Sequence, residues 1–352
     1  MNNNSKNQVK EIIIDPRYSY YYASFYLYGL YQHYAGYKFK MKCFTELPFG
    51  QLRHSNDRML CYVVKTNYKD SKKIVIDYRD QTSIVESFYD WADVYAKINV
   101  NKVETKVQDS SKLKLITPGF GIRYYNFAQT LWHSVYNLFL AKVGGHNDIN
   151  VSAKDFIKDY VLTWYRRRPY REYHLNTIKE RDNYVFFVST LWRHANCVET
   201  TNPLRALFMR TCKKLGLNFE GGFYISHSGN SADVIGYEDL LLLQRVDLKD
   251  YIVKTRQSLF VYNVPSCLNC HGWKLGEFLA MGKVIISAPL YNELPDDDTQ
   301  IMLNVNSKEE LEKAIVLLAK DEKFRKQIEK NAFAYYNKFA SPEAVIAYLD
   351  KQ

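Results

Sequence analysis

Proline, glycine and long apolar runs are scarce in this sequence. Nine prolines and 15 glycines in 352 residues exclude a collagen-like or low-complexity chain. No stretch approaches 18 consecutive apolar residues, so the sequence predicts no membrane-spanning helix. The start, "MNNNSKNQVKEIIID", has no apolar signal region, and we therefore expect a cytoplasmic protein.

Cysteine is also scarce, and six cysteines in a chain of this length do not form a disulfide framework. Cys267-Leu-Asn-Cys270-His271 has the spacing of a c-type haem attachment site, but covalent attachment would need export. A zinc site would need two more ligands, and no second Cys-x-x-Cys exists, so we expect no metal. A redox-active dithiol before a helix, or two reduced cysteines in a tight loop, remain as alternatives.

Basic residues outnumber acidic ones, 48 against 38, which gives a net charge of +10. Such a surplus suits nucleic acid, an anionic membrane surface or a phosphorylated ligand, although surface lysines also serve solubility alone. Aromatic residues are abundant, with 30 Tyr and 19 Phe. The tyrosine-rich segment 18–34 is predicted to be a core helix, or else to face an acceptor or lipid headgroups.

Strands alternate with helices along both halves, which predicts parallel sheets covered by helices. The chain is therefore divided into an N-terminal domain, 1–180, with a helical and basic connection at 126–180, and a C-terminal domain, 181–352. In the first half, strands are predicted at 11–15, 37–44, 72–80, 93–100 and 111–121, and the helix at 19–36 is predicted to close at Gly36. In the second half, Asn202 is predicted to cap a helix, and Gly282 to end one.

The stretch "CLNCHGWKLGEFLAMGKVIIS" predicts a loop, a helix beginning near Gly272, and a strand. The first N–H groups of such a helix are unpaired and attract anions. Lys274 lies in the first turn, where it can reach a phosphate, and Glu277 can accept hydrogen bonds from a diol. An exposed lysine and a simple Lys274–Glu277 ion pair are the alternatives.

"GWKLGEFLAMGKVIIS…NELP" resembles the C-terminal half of GT-B glycosyltransferases of the family-4 type (glycosyltransferase group 1). The resemblance implies an α/β GT-B fold in which two Rossmann-like domains face each other across a cleft, the last helix packing back on the first domain. Glu277 takes the place of the ribose-binding glutamate, and Asn269 stands where the family has a glutamate that touches the donor sugar. The remaining donor-binding candidates are Arg193, His271, Gly272, Trp273, Lys274 and Glu293.

The resemblance implies transfer of a hexose from a nucleoside-diphosphate sugar, of UDP or GDP type, without metal or cofactor. The acceptor would be a glycan or a lipid-linked molecule of capsule or lipopolysaccharide synthesis, reached at the inner membrane face. Asp15 and Asn269 are the catalytic candidates, Asp77 and Asp80 are further strand-end carboxylates, and Gly119 and Gly121 would let backbone approach the donor. A sugar-nucleotide epimerase and a nucleic-acid-binding protein remain as alternatives, and retention or inversion stays open.

Overall fold

The structure is a computed structural model. It describes residues 9–48, 59–66, 71–107, 109–144, 152–174, 178–225, 234–296 and 299–352. Parts of the predicted connection, 145–151 and 175–177, therefore lie outside the described residues. The chain forms two compact units, and each is described by itself.

The first unit comprises Met1–Tyr170, Glu293–Pro295 and Lys338–Gln352. Its six-stranded sheet has the order β2-β1-β3-β4-β5-β6. The strands are β1 Val9–Ile14, β2 Lys38–Phe39, β3 Met59–Thr66, β4 Ser71–Asp77, β5 Val94–Lys97 and β6 Leu113–Leu115. The helices are α1 Tyr20–Tyr34, α2 Glu86–Trp91, α3 Phe127–Gly144, α4 Ala153–Arg166 and α10 Pro342–Asp350. Strands β1 and β4 carry runs of buried Ile and Val, as expected for strands covered on both faces.

The expectation of a wholly parallel sheet is wrong for this unit, because the sequence analysis assigned no strand to β3. This strand lies between β1 and β4 and runs antiparallel to both. Only four residues separate β3 from β4, which suits an antiparallel pair and is too short for a parallel crossover. The strand predicted at 37–44 is also shorter than expected, since only Lys38–Phe39 pairs with β1.

Helix α1 ends one residue before the predicted position. Ala35 adopts a left-handed conformation, φ 59°, and its N–H donates to the carbonyl of Tyr31, so Gly36 does not close the helix. Near the middle of α1, a Cβ on Gly29 would lie 2.2 Å from the carbonyl oxygen of Pro342. A glycine is therefore needed where α10 packs against α1.

Tyrosines fill much of the first unit's core, which confirms the core interpretation of α1. The rings of Tyr20 and Tyr160 stack with centroids 4.6 Å apart, and Tyr20 stacks on Tyr125 at 5.3 Å. The buried hydroxyl of Tyr160 donates to that of Tyr18 over 2.8 Å. These hydroxyls satisfy one another, so the rings can be buried without stranding polar atoms.

The second unit comprises Arg171–Asn292 and Asp296–Asn337. The strands are β7 Tyr184–Thr190, β8 Asn218–Tyr224, β9 Val261–Asn263, β10 Ile285–Ser287 and β11 Met302–Asn304. The helices are α5 Asn202–Lys214, α6 Leu248–Gln257, α7 Trp273–Ala280, α8 Lys308–Lys320 and α9 Glu322–Tyr335. All described strand pairs here are parallel, β7 with β8 and β10 with both β9 and β11. The α/β class is confirmed.

Two helix ends in this unit differ from the predictions. A π-helical turn, Cys197–Thr201, runs directly into α5, so Thr201 and not Asn202 is the capping residue. The Asn202 amide instead donates to the carbonyl of Trp192 over 2.7 Å and fastens the loop after β7. At the end of α7, Met281 is the cap and Gly282, φ 63°, is the residue after it.

The division between the units falls at Tyr170, ten residues before the predicted boundary, and Lys338–Gln352 belongs to the first unit.

Candidate functional site

The loop between β9 and α7 is tightly ordered by its own backbone. Ser266 N–H donates to the Cys270 carbonyl, and Asn269 N–H donates back to Ser266, both over 3.0 Å. Leu268 and Asn269 both adopt φ 56°, a conformation that costs free energy for residues other than glycine. The loop delivers the chain to Gly272, which caps α7 without a side-chain hydrogen bond.

Gly272 is not required by packing within the protein. A Cβ at this position would meet only the Cβ of Ser266, at 3.6 Å, an ordinary contact. The φ of Gly272 is −74°, which any residue can adopt. Packing therefore does not explain the glycine at this position, and the donor-binding role of Gly272 stays a prediction.

Asn196, which the sequence analysis did not select, fastens this loop to the start of the π-helical turn. Its amide nitrogen donates to the carbonyl of Ser266 over 3.0 Å and to Oδ1 of Asn269 over 3.1 Å. Its amide oxygen accepts from the N–H of Leu268 over 3.2 Å. The side chain of Asn269 is therefore held by a neighbour, and its carbonyl accepts from the Asn292 amide over 3.0 Å.

Lys274 lies in the first turn of α7 and turns its ammonium toward β7. Nζ donates to the carbonyl of Val188 and lies 4.8 Å from the ring centroid of Phe187 and 5.7 Å from that of Tyr251. Burial, and then the nearby Arg205 guanidinium, lower the pKa of Lys274 to about 7, while Glu277 acts in the opposite direction. At neutral pH this lysine is poised between its charged and neutral forms.

Arg205 is the most unusual residue near the loop, and the sequence analysis missed it. Its side chain on α5 is buried, with 5% exposure, and among the described residues its Nη1 has no hydrogen-bond partner. Burial lowers the pKa of Arg205 to about 10. A signal was present, because Arg205 shares the apolar face of its helix with Phe208, Met209 and Cys212.

Glu277 lies further along α7 and is 5% exposed. The hydroxyl of Tyr251 donates to its Oε2 over 2.9 Å. Burial, followed by the negative charge of Glu277, raises the pKa of Tyr251. The carboxylate is thus held in a fixed direction by a neutral donor.

Two cations, Arg205 and Lys274, and one carboxylate, Glu277, meet around the start of α7 in a poorly hydrated place. Burial disfavours the charged form of both Arg205 and Lys274, and the Arg205 guanidinium lowers the pKa of Lys274 further. The helix N-terminus adds partial positive charge. The arrangement is suited to a bound anion, which would relieve the repulsion and supply the missing acceptor.

The other donor-binding candidates of the second unit lie either at the start of α7 or in the loop after β7. His271 is buried at the end of the loop, and Trp273 is the half-buried first residue of α7. Arg193 is exposed in the loop after β7. The structure therefore places His271, Gly272, Trp273, Lys274 and Glu277 on one loop and helix, and Arg193 on another loop.

The candidates of the first unit have structural partners. Both carboxylate oxygens of Asp15 accept from Arg17, at 3.0 Å from Nε and 2.8 Å from Nη2. Gly119 donates its N–H to the hydroxyl of Tyr26 over 3.2 Å, and a Cβ there would lie 2.8 Å from the Phe25 ring. Gly121, two residues further along the chain, is also buried. Packing alone accounts for the glycine at Gly119.

Glu293 is grouped with the first unit and not with the α7 loop. Its N–H donates to the carbonyl of Val100 over 2.9 Å, and its carboxylate lies 3.6 Å from Nζ of Lys102. The Lys102 side chain is largely exposed, so this ion pair contributes little to stability.

Asp77 repeats the arrangement of Asp15 at the end of β4. Its carboxylate accepts from Arg79 and Lys97, the charges of which outweigh burial and keep the pKa of Asp77 below its usual value. Asp80 follows Arg79 in the loop after β4. A fully paired carboxylate of this kind is a structural element and is poorly placed to accept a proton.

Comparison with known proteins finds similarity only at the level of structure. No protein-family model and no curated protein sequence matches the chain significantly. Matching structures include a glycosyltransferase from Rickettsia africae, with 12% identity, a TM-score of 0.40, and coverage of 76% of this chain and 67% of that one. The pneumococcal O-GlcNAc transferase GtfA, in complex with UDP and GlcNAc, has 9% identity, a TM-score of 0.39 and coverage of 75% and 45%. WaaG, a glycosyltransferase involved in lipopolysaccharide biosynthesis, has 12% identity, a TM-score of 0.31 and coverage of 75% and 82%.

This chain thus spans less than half the length of the pneumococcal enzyme. The matching structures include glycosyltransferases. Membership of the family-4 type stays a prediction. Identities and TM-scores this low carry no argument about activity, which has to be argued from the residues of this chain.

Proposed function

We propose that the protein is a glycosyltransferase that binds a nucleoside-diphosphate sugar at the start of α7. The observation that carries the proposal is the buried Arg205, whose Nη1 has no partner among the described residues, and the half-buried Lys274 beside an uncapped helix N-terminus. A diphosphate supplies the negative charge and the acceptor oxygens that this place lacks.

The same positive charge serves the reaction itself. Breaking the bond between sugar and diphosphate builds negative charge on the leaving group, and preorganised donors stabilise that charge. Arg205, Lys274 and the first N–H groups of α7 provide such donors without a metal ion. A hexosyltransferase that stays active in the presence of a chelator follows from the proposal.

Glu277 gives the site a second contact. Its carboxylate, held by Tyr251, can accept hydrogen bonds from the ribose diol, the role that the family resemblance implies. The carboxamide of Asn269 would face the donor sugar from the loop, steadied by Asn196. Asp15 could act as a base only after release from Arg17, so we place the decisive chemistry on the donor side.

The test is calorimetric titration of the full chain with UDP, GDP, dTDP and CMP. We expect one diphosphate to bind, and the substitution Glu277→Gln to weaken binding about tenfold or more, as for loss of a hydrogen bond to a charged group. Glu220→Gln is a matched control, since Glu220 also accepts from a tyrosine, Tyr184, but lies on β8. Failure of every nucleoside diphosphate to bind would refute the proposal.

The alternatives predict different results. An epimerase would convert the nucleotide sugar without an acceptor and without releasing the diphosphate. A nucleic-acid-binding protein would retain RNA or DNA in a salt-dependent way. A net charge of +10 suits all three functions, so it does not distinguish between them.

For the acceptor side, we propose that α3 lies on an anionic membrane surface that carries a lipid-linked acceptor. No helix in the described parts of the chain is both long and apolar enough to cross a bilayer. One face of α3 nevertheless exposes seven large apolar side chains, Phe127, Leu131, Trp132, Val135, Tyr136, Phe139 and Val143. This pattern is typical of a helix that lies in the membrane interface.

Charge supports a lipid partner for α3. A groove of about 580 Å³ lies between α3 and the segment 37–42, and lysines 38, 40 and 42 line it beside Phe39 and Met41. Lysines around an apolar face attract anionic headgroups. The lipid could equally belong to capsule or lipopolysaccharide synthesis, and the surface does not discriminate between these pathways.

Vesicle sedimentation tests this surface. We expect the chain to sediment with vesicles that contain phosphatidylglycerol, and less with pure phosphatidylcholine. The double substitution Trp132→Ser and Phe139→Ser should abolish sedimentation, while Phe333→Ser, which changes another exposed aromatic on α9, should not. A doubled mass in solution that this pair of changes abolishes would instead identify α3 as a self-association surface.

A further inference from the structure

Three of the six cysteines gather at the α7 loop, although one is distant in the sequence. Sγ of Cys197, in the π-helical turn, lies 3.5 Å from Sγ of Cys267, 70 residues further along. Cys270 is buried at the other end of the loop. No disulfide joins any of the six cysteines. In the described parts of the chain, no three His, Cys, Asp or Glu side chains are arranged to hold a metal ion.

The approach of the two sulfurs is built into the fold. Besides the three hydrogen bonds of Asn196 to the loop, the hydroxyl of Thr201 donates to the Pro265 carbonyl over 2.9 Å. The two segments are therefore held together on both sides of the cysteines. An S–S bond is about 2.05 Å long, so each sulfur would move by less than ~1 Å to form one.

The surroundings favour a reactive sulfur. The hydrogen bond from Cys267 lowers the pKa of Cys197 to about 7, and the Arg205 guanidinium acts in the same direction. Burial and the neighbouring Cys270 act against it. A thiolate is consequently present at neutral pH, whereas burial raises the pKa of Cys212, on the adjoining α5, above its usual value.

We propose that Cys197 and Cys267 form a reversible disulfide with a peroxide as oxidant, and that this modification strengthens anion binding at α7. Cys267 is the half-buried partner that solvent reaches, while Cys197 is fully buried. Cys267 passes its thiol proton to the Cys197 thiolate, and the Cys267 sulfur attacks a peroxide oxygen. The O–O bond breaks, which gives a sulfenic acid on Cys267, and the leaving hydroxide takes the proton from Cys197 and becomes water. The Cys197 thiolate then attacks Sγ of Cys267, the S–O bond breaks, and a second hydroxide leaves and takes a proton from solvent.

The effect on anion binding follows from charge, and this part rests on the proposed function. A thiolate near Arg205 competes with a bound phosphate for the guanidinium. The disulfide has no charge, so oxidation leaves Arg205 to the ligand alone. We expect the oxidised chain to bind the nucleoside diphosphate about fivefold more tightly, the order of one screened charge pair.

The test treats the reduced full chain with hydrogen peroxide, alkylates remaining thiols and maps peptides by mass spectrometry without reductant. We expect one cross-link, Cys197 to Cys267, that dithiothreitol reverses. Cys197→Ser should leave Cys267 as an over-oxidised sulfur, while Cys212→Ser should leave the cross-link intact. A cross-link between Cys267 and Cys270, or oxidation of Cys267 without any cross-link in the unmodified sequence, would overturn the assignment.

Peptide mapping needs no nucleotide, so it stands even where the proposed function fails. Circular dichroism of each variant distinguishes loss of the cross-link from loss of the fold. Titration of both redox forms with the diphosphate then tests the coupling. Equal affinities would leave the disulfide as a modification without effect on the site and would refute the electrostatic argument.

Discussion

Replacing Arg205 with methionine should stabilise the second unit and weaken nucleotide binding at the same time. A buried guanidinium whose Nη1 has no partner among the described residues costs free energy in the unliganded fold. Methionine has similar length, packs against the same apolar neighbours and carries no charge. If Arg205 binds a ligand, the variant should be more stable but bind the nucleotide more weakly. If Arg205 has a structural role, the variant should be less stable.

The size of the effect follows from the pKa of Arg205, which falls from 12.5 to about 10 in the folded chain. At ~1.36 kcal/mol per pH unit, this difference corresponds to a cost of about 3 kcal/mol for the charged form. The folded-state pKa is depressed, so the cost is fully present below pH 10 and disappears as the pH rises from about 10 to 12.5. Some contacts of the guanidinium are lost as well, so we expect a gain of about 2 kcal/mol at pH 7.

Thermal unfolding measures the gain, which should raise the melting temperature by about 4–8 °C for a unit of this size. Arg210→Met is the matched control on the same helix, because Arg210 is exposed and pairs with Asp239 at 2.6 Å. That change should cost about 0–1 kcal/mol and leave nucleotide binding unaltered. A lower melting temperature for Arg205→Met, or unchanged binding of the diphosphate, would show that Arg205 has a structural role and would remove the main support for the anion site.

Other predictions concern the pH response and packing. Affinity for the diphosphate should fall between pH 7 and 9, above the phosphate pKa of about 6, because Lys274 loses its proton near pH 7; calorimetry of Lys274→Met should show no such step. Gly29→Ala should destabilise the first unit by more than ~1 kcal/mol in urea unfolding, because its Cβ would clash with Pro342, whereas Gly36→Ala, in open space, should have little effect. Asp77→Asn should cost about 3–5 kcal/mol in the same assay, since it leaves two buried cations unpaired; an effect under ~1 kcal/mol would contradict the assigned structural role.

Much of the fold could be predicted from hydrophobic periodicity. Helix α7 begins one residue after Gly272, where its start was predicted, and β10 is the strand predicted to follow it. The strand β3 was missed altogether, although its apolar run "MLCYVV" is typical of a buried strand. Its direction depends on which neighbours it pairs with, and that is a tertiary property.

The site was harder to predict, because burial and not residue type decides what an ionisable side chain does. Asp15 and Asp77 are both aspartates at the end of a strand, which is where a catalytic base is expected. Both precede an arginine by two residues, in "IIIDPR" and "IVIDYR", and this repeat could have identified them as ion-paired. Arg205 required knowledge of where α5 packs, which the sequence shows only as a charge on an apolar face.

Charge pairing therefore decides where function is to be sought in this chain. The buried carboxylates of the first unit have their charges balanced by arginine, so they need no ligand to be stable. Around α7, the buried Arg205 forms no ion pair among the described residues, and its Nη1 has no hydrogen-bond partner there. Natural proteins retain such a cost where binding repays it. The cysteine pair lies at the same place, so a change in sulfur charge acts on this incompletely paired arginine.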